Sequence, residues 1–184
     1  MPEATEPRYR PAGPETRAEQ ALSQLKPDQK RDVLLAALRT LKERPAQEAR
    51  EPLLVLYEHF AAKGPKRDPG TYMRRAILDA FRPIALPADV PLLLAGVTTY
   101  EILPPGYKED AILLRSGALL ILNELDDTLA TYHAARILGD GYSDPMSGEP
   151  AVTAARVLAS QGALLPLYLY AMQRGAVTLP ARRP

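Results

Sequence analysis

The chain has 184 residues, 46% of them hydrophobic and 24% charged, which suits one packed domain or one short repeat array and excludes a wholly disordered chain. Its 23 basic and 22 acidic side chains nearly cancel, which argues against whole-molecule attraction to nucleic acid or a membrane, so an electrostatic partner must read a local patch. The absence of cysteine removes disulfides, cysteine-ligated zinc and a thiol nucleophile together.

Residues 1–14 combine proline and charge with scattered apolar positions and read as a flexible tail, because ordering them would bury too little apolar surface. The first 25 residues hold no apolar signal core and no segment approaches the length of a membrane span, so a cytoplasmic protein with no membrane partner is expected. Thr16 and Glu19 have capping-box spacing, and Ala18, Ala21, Leu22 and Leu25 follow at helical intervals. Further helices are predicted over 28–44, 50–63, 70–84, 89–102, 108–124, 127–139, 149–161 and 164–174. Proline and glycine punctuate them, and β-structure is not expected. The folded domain therefore spans 15–176, and 177–184 form a short C-terminal tail.

An internal repeat organises these helices. Pro52-Leu53, Pro91-Leu92 and Pro166-Leu167 each place proline before an apolar helical run, and Thr128-Leu129 occupies the same slot without it. The slots lie 39, 37 and 38 residues apart. Proline suits a first helical turn because the N–H it lacks would have no partner there. Asp89 and Asp127 stand just before two of these slots, where a carboxylate can cap a helix. Gly117, within the apolar run 111–122, would allow close approach of helices in a stack.

With two helices per unit, a period near 38 and an Asp-x-Pro-Leu-Leu entry to the second helix, the chain resembles the HEAT-repeat family over about residues 28–175. Met73-Arg74-Arg75-Ala76 and Leu114-Arg115-Ser116-Gly117 resemble that family's apolar-Arg-x-small signature. The first unit lacks the aspartate and the third lacks the proline. The resemblance implies an all-α, right-handed α-solenoid of about four antiparallel helix pairs, a HEAT-like or ARM-type superhelix.

Catalysis finds no constellation. His59 and His133 have no metal-ligand partner at helical spacing, and hydrolase elbows, phosphate loops and dinucleotide fingerprints are absent, so neither enzyme activity, metal nor cofactor is expected. The three carboxylates of 140–149 lack the calcium-loop pattern and read as a polar turn.

Short repeats bury their faces by stacking, which leaves an extended surface for another protein. A non-catalytic interaction or scaffold module is expected, using the second-helix residues Tyr57, Tyr100, Tyr132 and Arg136, or a loop rim of Tyr72, Tyr107 and Tyr142, which recur every 35 residues. The rim tyrosines have a second reading, as rings packed back over their own helix starts. The alternative function is binding of a nucleic-acid phosphate backbone through Lys63, Lys66, Arg67, Arg74, Arg75 and Arg82, six cations facing only Asp68 and Asp79. The same charges also suit a solvated, salt-bridged face. The block 101–150 is the reverse, with nine acids and three bases. The apolar last helix, 163–174, invites self-association or capping by a partner.

Overall fold

The structure, a computed structural model, describes residues 14–178 apart from Tyr107. The described residues are mostly helical. The helices are α1 (Pro14–Ser23), α2 (Arg31–Glu43), α3 (Arg50–Ala61), α4 (Tyr72–Phe81), α5 (Val90–Val97), α6 (Ile112–Leu125), α7 (Asp127–Gly139), α8 (Ala151–Ser160) and α9 (Leu164–Thr178). α1 starts at Pro14, ahead of Thr16, as suits proline at a first helical position.

Apolar residues at intervals of three and four make one buried stripe per helix. Leu34, Ala37, Leu38 and Leu41 do so on α2, and Leu53, Leu56, Tyr57 and Phe60 on α3. α2 packs on α4, α4 on α6 and α6 on α8, while α3 packs on α4, α5 on α6, α7 on both α6 and α8, and α9 on α8 and α7. α1 lies against α2.

Polar links join positions about one repeat apart. Lys42 Nζ reaches Asp79 at 2.9 Å, Arg82 Nε reaches Glu124 at 2.8 Å, and the Gly70 N–H donates to Asp110 at 2.7 Å. Lys108 Nζ lies 3.4 Å from Asp144, and Arg75 donates to the Leu113 carbonyl at 3.0 Å. Gly117 makes room for that arginine: a Cβ there would lie 2.8 Å from Arg75 Cδ. At Gly96 a Cβ would lie 2.8 Å from the Ala118 methyl, so α5 and α6 approach closely through it. Thr71 holds a left-handed backbone (φ 55°), and its buried hydroxyl accepts from the Leu114 N–H at 3.3 Å.

Three expectations need correction. The helix read over 89–102 stops at Val97, where the hydroxyls of Thr98 and Thr99 donate back to the carbonyls of Leu94 and Ala95, both at 2.7 Å. The chain then forms a two-stranded antiparallel hairpin, β1 (Ile102–Leu103) with β2 (Lys108–Glu109), so α6 begins at Ile112 rather than 108. The cap of α7 is Asp126, which accepts from the Leu129 N–H at 2.9 Å, and Asp127 is the first helical residue. The tail reading of 1–14 and 177–184 falls largely outside the described residues.

Candidate partner-binding site

Two of the three long connections that precede an odd-to-even turn of the chain, those before α4 and α6, begin a buried ion triad. Asp68, fully buried, accepts from the backbone N–H groups of Met73 (2.9 Å) and Arg74 (3.0 Å), so it caps α4. The same carboxylate takes Arg74 Nε at 3.1 Å, and Arg74 Nη2 lies 2.7 Å from Glu101 Oε1. Glu109 repeats the pattern before α6. It accepts from the Ala111 N–H at 2.7 Å and the Glu101 N–H at 3.2 Å, and faces Arg115 Nη1 at 3.6 Å. Arg115 then pairs with Asp140 beyond α7. In each triad the arginine stands six residues after the capping acid. Buried charges of this kind need their partners, because an unpaired one in this setting is costly.

Arg115 also carries the surface. Its guanidinium lies 4.1 Å from the centre of the Tyr100 ring and donates to the Tyr100 hydroxyl at 3.1 Å, and that hydroxyl donates to Asp140 at 2.8 Å. The Tyr142 ring meets Tyr100 edge-on, with centroids 5.7 Å apart. One helical turn before Asp140, the Arg136 guanidinium lies 5.7 Å from the centre of the Tyr132 ring, and Tyr132 meets His133 edge-on at 5.1 Å. Tyr132 is 57% exposed and Tyr142 43%. A buried cation thus fixes one tyrosine from below while an exposed cation and two more rings stand on the surface beside it.

Electrostatics follow from burial. Desolvation pushes the Tyr100 phenol up, helped by its bond to Asp140 and opposed by Arg115. Desolvation likewise raises the Glu101 carboxyl, against the pull of Arg74. The His133 imidazole is held below its usual value by burial and then by Arg136. Partly buried His59 is lowered by the same cause, with Arg67 and Lys63 adding to it.

The structure sets four of the expected residues in two pairs, Tyr100 with Tyr142 and Tyr132 with Arg136, with Arg136 near enough to Tyr100 to pull against the rise of its phenol pKa. Tyr57 lies elsewhere, inside the core beside Leu53, Ile77 and Phe81, and burial pushes its phenol up to about 12. Tyr72 is exposed but folds back over its own loop, where a Cβ on Gly70 would meet its ring at 2.5 Å. Tyr107 lies outside the described residues. Of the six expected phosphate contacts, Arg74 is buried in the first triad, Arg75 binds Asp79 at 2.9 Å, Arg82 binds Glu124 and Arg67 binds the His59 carbonyl. Lys63 and Lys66 are exposed and make no ion pair among the described residues.

Asp68, Glu101, Glu109 and Asp140 were not singled out in the sequence as a set. Asp68 and Glu109 carry a signal, an acid six residues before each signature arginine, whereas Glu101 and Asp140 carry none. The carboxylates of 140–149 work separately: Asp140 holds Arg115, Asp144 accepts from Ser147 N at 2.9 Å, and Glu149 accepts from Ser116 Oγ at 2.9 Å and Thr153 N at 3.2 Å. Among the described residues no group of three or more His, Asp or Glu is placed to hold a metal ion, and no helix is long and apolar enough to cross a membrane. No known protein family, curated protein or solved structure matches the chain.

Proposed function

We propose that the chain is a non-catalytic protein-interaction module that binds its partner through Tyr100, Tyr132, Arg136 and Tyr142. The observation that carries this is the pairing of an exposed aromatic and cationic cluster with a buried support, since Arg115, Asp140 and Glu109 hold Tyr100 in place from beneath. Rigid aromatic and arginine anchors lose little entropy on binding and dominate interface energetics. In the same reading the fold is a HEAT-like, right-handed solenoid of four pairs, α2/α3, α4/α5, α6/α7 and α8/α9. The stacking of α2, α4, α6 and α8 in order and the polar links one repeat apart support it.

The test is capture of interactors by the tagged chain and by a Tyr132→Ala/Tyr142→Ala variant. Loss of the specific interactors at an unchanged melting temperature is expected. Equal capture by both proteins contradicts the reading. A second reading, phosphate-backbone binding, rests on exposed Lys63 and Lys66. It requires affinity for a DNA or RNA oligonucleotide that falls steeply with salt and falls again in Lys63→Ala/Lys66→Ala.

A further inference from the structure

The last helix shows a different kind of surface. Leu164, Leu165, Tyr168, Leu169 and Met172 on α9 are 70%, 68%, 61%, 52% and 57% exposed, at spacings that put them on adjoining stripes of one helix. No charged residue occurs from Ala163 to Gln173. Beside these knobs runs a groove of about 280 Å³ between α7 and α9, with small or aliphatic residues Ala135, Leu138 and Gly139 along one wall and Leu165 and Leu169 along the other. Knobs and groove lie on the same face, as a self-complementary contact requires.

We infer that α9 is the two-fold interface of a homodimer, in which the apolar stripe of one copy packs against the same stripe and groove of a second. Three observations select a second copy as the occupant. An uncharged face offers nothing for charge to select, and an identical uncharged face meets it without leaving a buried ion unpaired. Five side chains presenting on the order of 100 Å² each would bury on the order of 1,000 Å² across two copies, about the size at which specific interfaces begin. Among the described residues the other end of the stack is polar: α1 packs on α2 with Ala21, and Leu25 just past its end, buried, while Arg17, Glu19 and Gln20 are exposed. A head-to-tail contact of α9 with that end would place apolar residues on a polar face, so the contact that fits is α9 on α9, which closes after two copies.

Sedimentation equilibrium on the full chain tests this. The wild type is expected to weigh twice its 20.2 kDa chain mass at micromolar concentrations, with no growth beyond that as concentration rises. Leu165→Glu/Leu169→Glu should weaken dimerisation by on the order of 100-fold or more, since each copy would bury two like charges in an apolar contact. A wild-type monomer at every concentration overturns the inference. A dimer that survives the double substitution, or a series of larger species, also overturns it. Should the double variant fail to fold, single cysteines in this cysteine-free chain decide the matter under mild oxidation. Leu169→Cys on α9 should cross-link two copies and Gln20→Cys on α1 should not, and the reverse pattern rejects the two-fold arrangement.

Discussion

In the interior of the stack, Arg74 and Arg115 are 3% and 0% exposed and each lies between two carboxylates, whereas in the last helix pair Glu149 is met by the Ser116 hydroxyl and the Thr153 N–H. The one arginine of α8, Arg156, is exposed and makes no ion pair among the described residues. The interior units use buried charge to tie a helix start to the far end of the following helix, across the loop between them. The last unit has apolar surface in its place. The first arrangement locks geometry and leaves rings on the outside. The second leaves a face that another chain can cover.

Substitution of the interior arginines gives the largest expected effect. Arg74→Ala strands Asp68 and Glu101 in the interior and is expected to cost about 3–5 kcal/mol in chemical denaturation, against under about 0.5 kcal/mol for Arg156→Ala. Similar losses at the two positions would erase the contrast between interior and end.

A smaller effect separates the triads by pH. The Glu101 carboxyl has a folded-state pKa above its ordinary value, so the fold binds its proton more tightly than the unfolded chain does. Its contribution is therefore fully present below the ordinary glutamate range and is lost as pH rises through the raised folded value. The stability difference between wild type and Glu101→Gln, followed by denaturation across that window, should shift toward the variant as pH rises. A difference that does not change with pH would mean that Arg74 offsets the burial of Glu101 in full.

Much of the frame was legible from residue spacing. Helix starts near 52, 91, 128 and 166 follow from proline and leucine slots, and the structure opens α3, α5, α7 and α9 within two residues of each. The end of α5 was not, because the threonine hydroxyls that close it act through their own backbone rather than through an apolar pattern. Burial of Tyr57 was available in the pattern: Leu53, Leu56, Tyr57 and Phe60 share one stripe, while Tyr132 stands off the stripe of Ala130, His133, Ala134 and Ile137. The same test divides the basic run. Arg74 falls on the stripe of Met73, Ile77 and Phe81, so the charge of residues 63–82 as a sum says little about what reaches solvent. Asp68 with Glu101, and Glu109 with Asp140, are separated by more than thirty residues and meet only when the loop and the helix pair fold back together.

Two arginines of neighbouring helices, Arg115 inside on α6 and Arg136 outside on α7, carry the central claim, and measuring melting temperature and partner capture for Arg115→Ala and Arg136→Ala side by side tests it most directly. The account predicts a large fall in melting temperature for Arg115→Ala, and for Arg136→Ala an unchanged melting temperature with loss of the captured partner. A destabilised Arg136→Ala, or one that captures its partner as well as the wild type does, would contradict it.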